Sequence, residues 1–124
     1  ARIHQPLYDV AAEDDHIAPW RQTFKINGYV TSPKRFVLSS SGHILGIVNP
    51  PVNPPKRNFW VGEPERNEHF EHWFDRAEQK PGSWWEDWVA WLRPQCGPQV
   101  APLSPASSDY PALAPAPGTY VHEK

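Results

Sequence analysis

Methionine is absent from all 124 residues, position 1 included, and cysteine occurs once, at Cys96. The first absence means that Ala1 is not a translation start as written. Either processing removed the start or the chain is a piece cut from a longer one; the second reading is favoured, because Ala1-Arg-Ile-His reads as the lead-in to a strand already under way. The second absence excludes an internal disulfide and fits a reducing compartment. Basic runs are missing and the net charge is −2, so nothing argues electrostatically for nucleic acid or a charged membrane surface. The apolar runs are far too short to cross a bilayer, and no secretory signal pattern is visible.

What remains is ordinary for one soluble domain, with 39% hydrophobic and 21% charged residues. Seven tryptophans and sixteen prolines are the unusual features. Two stretches organise the rest. In Phe36-Val-Leu-Ser-Ser-Ser-Gly42-His43, an apolar β-forming run ends in serines and a glycine, which favour turns. His43 thus falls in the loop past a strand's carboxyl end, the edge where open α/β sheets assemble their sites. In Leu7-Tyr-Asp-Val-Ala-Ala-Glu-Asp-Asp15, a similar run breaks into acids. An Asp and then a His, each delivered past a strand, is the second half of a nucleophile–Asp–His chain order.

Along the chain, a lead-in and strand are expected over Ile3 to Ala12, with Pro6 at the entry. A helix is expected from Pro19 to about Tyr29, with Trp20, Phe24 and Asn27 or Gly28 on one face. The strand Arg35 to Ser40 follows. The helical connector makes these two strands parallel. Prolines 50, 51, 54 and 55 imply an extended surface loop ending at Lys56-Arg57-Asn-Phe-Trp60. A second helix is expected from Glu65 to about Gln79, with Phe70, Trp73, Phe74 and Ala77 at helical spacing, broken by Pro81-Gly82. Ser83 with Glu86 forms a capping box for a third helix. There Trp84, Trp88 and Trp91 line one side and Trp85, Val89 and Leu92 the next, a face wide enough to require burial. Residues 1–97 are the folded part. Residues 98–124 form an extended Pro/Ala-rich tail, which Tyr110, Leu113, Tyr120 and Val121 are able to pin to the body.

Three residue types carry candidate chemistry. An imidazole titrates near neutral pH, so His43 suits a general base; the plainer reading is a histidine in a surface loop. An acid beside it orients and stabilises the imidazolium, a role open to Asp15 but, on spacing alone, also to Glu13 and Asp14; the plainer reading is an N-cap. His16 reads as structural, bonded to the loop backbone. Cys96, near a Pro/Gly helix end and after both other members, reads as incidental. His69 and His72 lack the partners of a zinc site and read as a solvated helix face.

Asp15-His-Ile-Ala-Pro-Trp20, Arg35-Phe-Val-Leu-Ser-Ser-Ser-Gly-His-Ile44, Val48-Asn-Pro-Pro51, Lys56-Arg57 with Trp60, Gly82-Ser-Trp-Trp-Glu-Asp-Trp88 with Trp91, and Ala114-Pro-Ala-Pro-Gly-Thr-Tyr-Val121 together resemble the carboxyl-terminal part of a class I polyhydroxyalkanoate (poly-3-hydroxybutyrate) synthase. The resemblance implies the end of an α/β-hydrolase fold, here two parallel strands plus helices. It also implies a Cys–Asp–His triad that polymerises 3-hydroxyacyl-CoA into polyester and releases CoA. Asp15 and His43 fall on the family's triad Asp and His. No cofactor is implied, since the CoA thioester is the substrate. The family's nucleophile sits in a Gly-x-Cys-x-Gly turn well upstream, and no such turn occurs here, so the isolated chain is expected to be inactive. At the end, Thr119 stands where the family commonly has Arg. Implied partners are the substrate, the growing polyester and the remainder of the synthase, at granule surfaces in the cytoplasm. The strand ending at Ala12 then lacks a neighbour, and the open edge predicts self-association. Two other readings stay open: a depolymerase or thioesterase of the same fold, and a non-catalytic module that binds granules or partners, in which Asp15 and His43 would not approach one another.

Overall fold

A computed structural model describes residues 3–104 and 106–123. The chain is α/β, with one mixed four-stranded sheet in the order β1-β2-β3-β4. Strand β1 (Leu7–Ala12) pairs in parallel with β2 (Lys34–Ser39), from Leu7 opposite Lys34 to Ala12 opposite Ser39. Strand β2 is buried on both faces. Phe36, Val37, Leu38 and Ser39 are all fully enclosed, which explains its unbroken apolar run.

The expectation of only two strands fails. Asn58–Gly62 forms β3, antiparallel to β2, and Glu78–Pro81 forms β4, antiparallel to β3. The stretch read as the end of a surface loop alternates instead, with Phe59 and Val61 buried and Asn58, Trp60 and Gly62 half-buried. Strand β4 consists of Glu, Gln, Lys and Pro, residues that favour a helix or no element at all. Hydrogen bonding to β3 overrides that preference, and the polar, proline-ended strand makes a sheet edge that resists further pairing. At the other edge, β1 pairs only with β2 among the described residues.

Two other helices are shorter than expected. The segment read as one helix from Pro19 is two single turns, α1 (Trp20–Thr23) and α2 (Ile26–Tyr29). Between them the Asn27 side-chain amide donates to the Phe24 carbonyl at 2.7 Å, a local bond that competes with helix continuation. The expected face survives with Asn27, not Gly28, buried beside Trp20 and Phe24. Helix α3 spans only Phe70–Arg76. Before it, Asn67 adopts a φ of 61°, and Glu68 accepts from the Glu65 amide and from Arg76, closing a turn where a longer helix would begin.

The sheet separates two apolar clusters. On one face, Ala11, Phe36 and Leu38 meet Trp20, Phe24 and Trp73. Phe36 and Trp73 pack edge to face with centroids 4.9 Å apart, a favoured aromatic geometry. On the other face, Val37, Phe59 and Val61 are covered by Tyr8, Val10 and Trp84. Helix α4 (Trp84–Leu92) lies on this second side. Its wide apolar face was expected to be buried, yet no residue of α4 is buried, and Trp88 and Val89 are 40% and 45% exposed. Beside the packing of Trp84, a polar anchor ties α4 to the sheet. Asp87 accepts two bonds from the Arg35 guanidinium, at 2.8 and 2.6 Å, and one from the Tyr8 hydroxyl at 2.8 Å. Burial pushes the Asp87 carboxyl up, but Arg35 and Tyr8 outweigh it and hold the group below its ordinary range.

Past α4 come a single 3-10 turn at Arg93–Gln95 and another at Tyr120–His122. Tyr110, Leu113, Tyr120 and Val121 are exposed and do not pin the segment to the sheet. Ala1, Arg2, Pro105 and Lys124 lie outside the described residues.

Candidate active site

Parallel pairing of β1 and β2 puts their carboxyl ends side by side, and the two following loops are stitched together. Glu13 N donates to Ser39 O at 2.8 Å, and Asp14 N to Ser41 O at 3.0 Å. Ser41 takes a left-handed φ of 84° and turns the chain sharply after β2. Three residues past β1 and four past β2, the side chains meet, with Asp15 Oδ2 2.8 Å from His43 Nδ1. Of the three acids left open by spacing, Asp15 is the one that turns inward; Glu13 and Asp14 are exposed.

Asp15 is buried and fully engaged. Its Oδ1 accepts from Ala18 N at 2.8 Å and from Ile17 N at 2.9 Å. The Ala18 bond is the largest influence on its acidity. Together with the bonds from His43 and Ile17 it overcomes desolvation and holds the carboxyl below the usual range. Asp15 is therefore a carboxylate and can only accept, so Nδ1 of His43 carries the proton. Nε2 has no hydrogen-bond partner among the described residues, on a side chain that is 48% exposed. The N-cap reading of Asp15 fails: the N-cap of α1 is Pro19, with no side-chain cap bond, and Asp15 instead closes a turn ahead of the helix with Oδ1 while Oδ2 meets His43.

His43 opens onto a shallow cleft of about 280 Å³ lined by His16, Ile17, Ser41, Gly42, Ile44 and Leu45. His16 is exposed on this wall rather than tied to the loop backbone. Ile17, Ile44, Leu45 and Val48 are all more than half exposed, so the pair sits in an apolar surround. A larger cleft near Arg21, Tyr29 and His69 includes neither Asp15 nor His43.

The loop after His43 is held from α4, a link that sequence reasoning missed. Trp84 Nε1 donates to Gly46 O and Trp85 Nε1 to Ile47 O, both at 3.0 Å, and the Ser83 hydroxyl donates to Asn49 O. Ser83 also caps α4 by accepting from Trp85 N at 3.0 Å. The one available signal was that the tryptophans cluster at the helix start. Cys96 is exposed beyond α4, in the segment after the Arg93–Gln95 turn. His69 stands at the N-cap of α3 rather than on its face, 3.6 Å from Glu71. No group of three His, Cys, Asp or Glu among the described residues is placed to hold a metal ion.

A buried carboxylate on Nδ1 of a half-exposed histidine, at the carboxyl ends of adjacent parallel strands, has the geometry of the acid–base half of a nucleophile–acid–histidine site. No family model matches the chain. It is 40% identical over 119 residues to the poly(3-hydroxyalkanoate) polymerase subunit PhaC of Rhizobium etli, covering 96% of this chain and 18% of that protein. To the poly(3-hydroxyalkanoate) polymerase of Methylorubrum extorquens it is 40% identical, over 99% of this chain and 20% of the relative. The subunit PhaC of Cupriavidus necator matches at 39% over 100% of the chain and 21% of its own length. The chain is thus a homologue of the poly(3-hydroxyalkanoate) polymerases over nearly its whole length, as its motifs indicated. It spans about a fifth of the length of the curated relatives it matches.

Proposed function

We propose that this chain is the carboxyl-terminal part of a class I polyhydroxyalkanoate synthase, the end of an α/β-hydrolase fold, and supplies the Asp and His of a Cys–Asp–His triad. The observation that carries the proposal is the 2.8 Å contact between Asp15 Oδ2 and His43 Nδ1. A binding module needs no such contact. In the proposed cycle His43 Nε2 takes the proton of a cysteine thiol carried upstream in the longer protein. The thiolate attacks the thioester carbonyl of 3-hydroxyacyl-CoA, and the acyl group passes to the cysteine. CoA leaves with the proton returned by His43. A 3-hydroxyl of an acyl unit, deprotonated by His43 with Asp15 in support, then attacks an acyl–cysteine carbonyl. An ester bond forms, the thioester breaks and the thiolate is regenerated.

Asp15 stabilises the imidazolium formed at each proton transfer. The apolar wall of Ile17, Ile44 and Leu45 suits an acyl chain. The cycle needs no cofactor. Work at granule surfaces in the cytoplasm fits an insoluble product. No helix among the described residues is long and apolar enough to cross a membrane. The chain alone is inactive without the upstream thiol. The free edge of β1 favours pairing with the remainder of the synthase or, in its absence, with a second copy.

Mixing the chain with the separately made amino-terminal part of a class I synthase, and following CoA release from 3-hydroxybutyryl-CoA, tests the proposal. Activity that disappears with Asp15→Ala or His43→Ala is expected. Demonstrated binding of the two parts without activity would overturn it, and free 3-hydroxybutyrate as the product would favour a thioesterase.

A further inference from the structure

We propose that Ser83, Trp84 and Trp85, at the start of α4, form a clamp that positions His43 by holding the carbonyls of its loop. This rests on the reading of His43 as the general base.

The loop after His43 is one irregular turn. Gly46 N closes back on Gly42 O at 2.8 Å and Val48 N on Ile44 O at 2.7 Å. Consecutive residues of one helix start meet three carbonyls of this loop, at Gly46, Ile47 and Asn49; the Ile47 carbonyl also accepts from Asn49 N at 3.0 Å. On the opposite side the loop is pressed against β1. A Cβ on Gly46 would lie 2.5 Å from Ala12 Cβ and 2.8 Å from Gly42 O, so the backbone is wedged between the end of β1 and the indoles.

Packing alone does not account for this arrangement. The Trp85 bond lies at the surface, so that indole contributes little core, whereas Trp84 both packs on the Val37, Phe59 and Val61 cluster and donates to Gly46 O. Trp88 shares the helix and packs edge-on near Trp84, but among the described residues its indole meets no loop carbonyl. The clamp is itself anchored to the two strands that deliver the pair. Asp87, one turn along α4, is bonded to Tyr8 of β1 and Arg35 of β2. Trp84 lies over Tyr8 with centroids 6.3 Å apart. Asp15 and His43 are therefore held in register twice, through the strands and through α4. A histidine that accepts and returns a proton in each cycle needs its Nε2 fixed against the nucleophile, and a misplacement near 1 Å costs on the order of 100-fold in rate.

The test uses the full-length polymerase that contains this segment, with Trp84→Phe, Trp85→Phe, the double variant and Trp88→Phe. Phenylalanine keeps an aromatic ring and removes the N–H donor. With 3-hydroxybutyryl-CoA the double variant is expected to lose about 10- to 100-fold in kcat with KM within about twofold, and Trp88→Phe to change neither. Hydrogen exchange at the Gly46 and Val48 amides should quicken at least tenfold in the double variant and not in Trp88→Phe. Unchanged kcat in the double variant, unchanged exchange, or equal losses in Trp88→Phe would each overturn the clamp. His43→Ala separates the two claims: if it stays active the triad reading fails, whereas if it is dead and the double variant is fully active only the clamp fails.

Discussion

Asp87→Ala should be among the most destabilising single changes outside the apolar clusters. The Asp87 carboxylate is 8% exposed and is the shared acceptor for Arg35 and the Tyr8 hydroxyl. Truncation removes three hydrogen bonds and leaves a cation without its counter-charge on β2. Lys80 Nζ, 3.9 Å from the same carboxylate, loses a weaker attraction. Breaking a fully buried pair from one side costs about 3–5 kcal/mol, because the remaining charge is stranded. The Arg35 side chain is 23% exposed, so water recovers part of that loss. The expected cost is about 2–3 kcal/mol. With a urea dependence of roughly 1.5 kcal/mol per molar, the midpoint should fall by about 1.3–2 M. The assay is equilibrium urea unfolding at fixed protein concentration, followed by tryptophan fluorescence. Asp87→Ala combined with Arg35→Leu should recover much of the loss, since no charge is then stranded. A midpoint within about 0.3 M of the parent, or a double variant weaker than the sum of the singles, would refute the polar anchoring of α4.

Two further outcomes follow from the same contacts. Gly46→Ala should destabilise the chain by about 1–3 kcal/mol, because its methyl has no space between Ala12 and Gly42, and urea unfolding reads the loss directly. Asp9 on β1 has a carboxyl oxygen with no hydrogen-bond partner among the described residues, and burial pushes its pKa up to about 6. The folded chain then holds this proton more tightly than the unfolded one, so stability should rise as pH falls from about 6 towards 4. The gain is roughly 1–2 kcal/mol after discounting for partial solvent contact, and Asp9→Asn should abolish the slope in urea midpoints measured across that range.

The two strands that deliver Asp15 and His43 were legible because β2 is buried on both faces and announces itself as a continuous apolar run. Their parallel pairing followed from the length of the connector. Strand β3 was not read, although Phe59 and Val61 alternate with polar or half-buried neighbours, because the preceding prolines drew the whole stretch into a loop. Strand β4 carries no local strand signal at all; only its partner β3 makes it one. The tryptophan helix was located correctly, but its role was not. Helical spacing identifies which residues share a face, and it does not reveal that two indole N–H groups are aimed at the carbonyls of a loop 38 residues earlier. Spacing also left three acids open, and the choice of Asp15 needed the turn that sends Ile17 and Ala18 amides onto its Oδ1.

The central claim is that His43, backed by Asp15, is the base that activates a cysteine of the longer protein. The most direct measurement is the pH dependence of alkylation of that cysteine by iodoacetamide in the full-length polymerase, compared between the parent and His43→Ala. In the parent the thiol is expected to react well below the ordinary thiol range of about 8.5, and in the variant to return to that range, with Asp15→Asn in between. Superimposable profiles in all three proteins would contradict it.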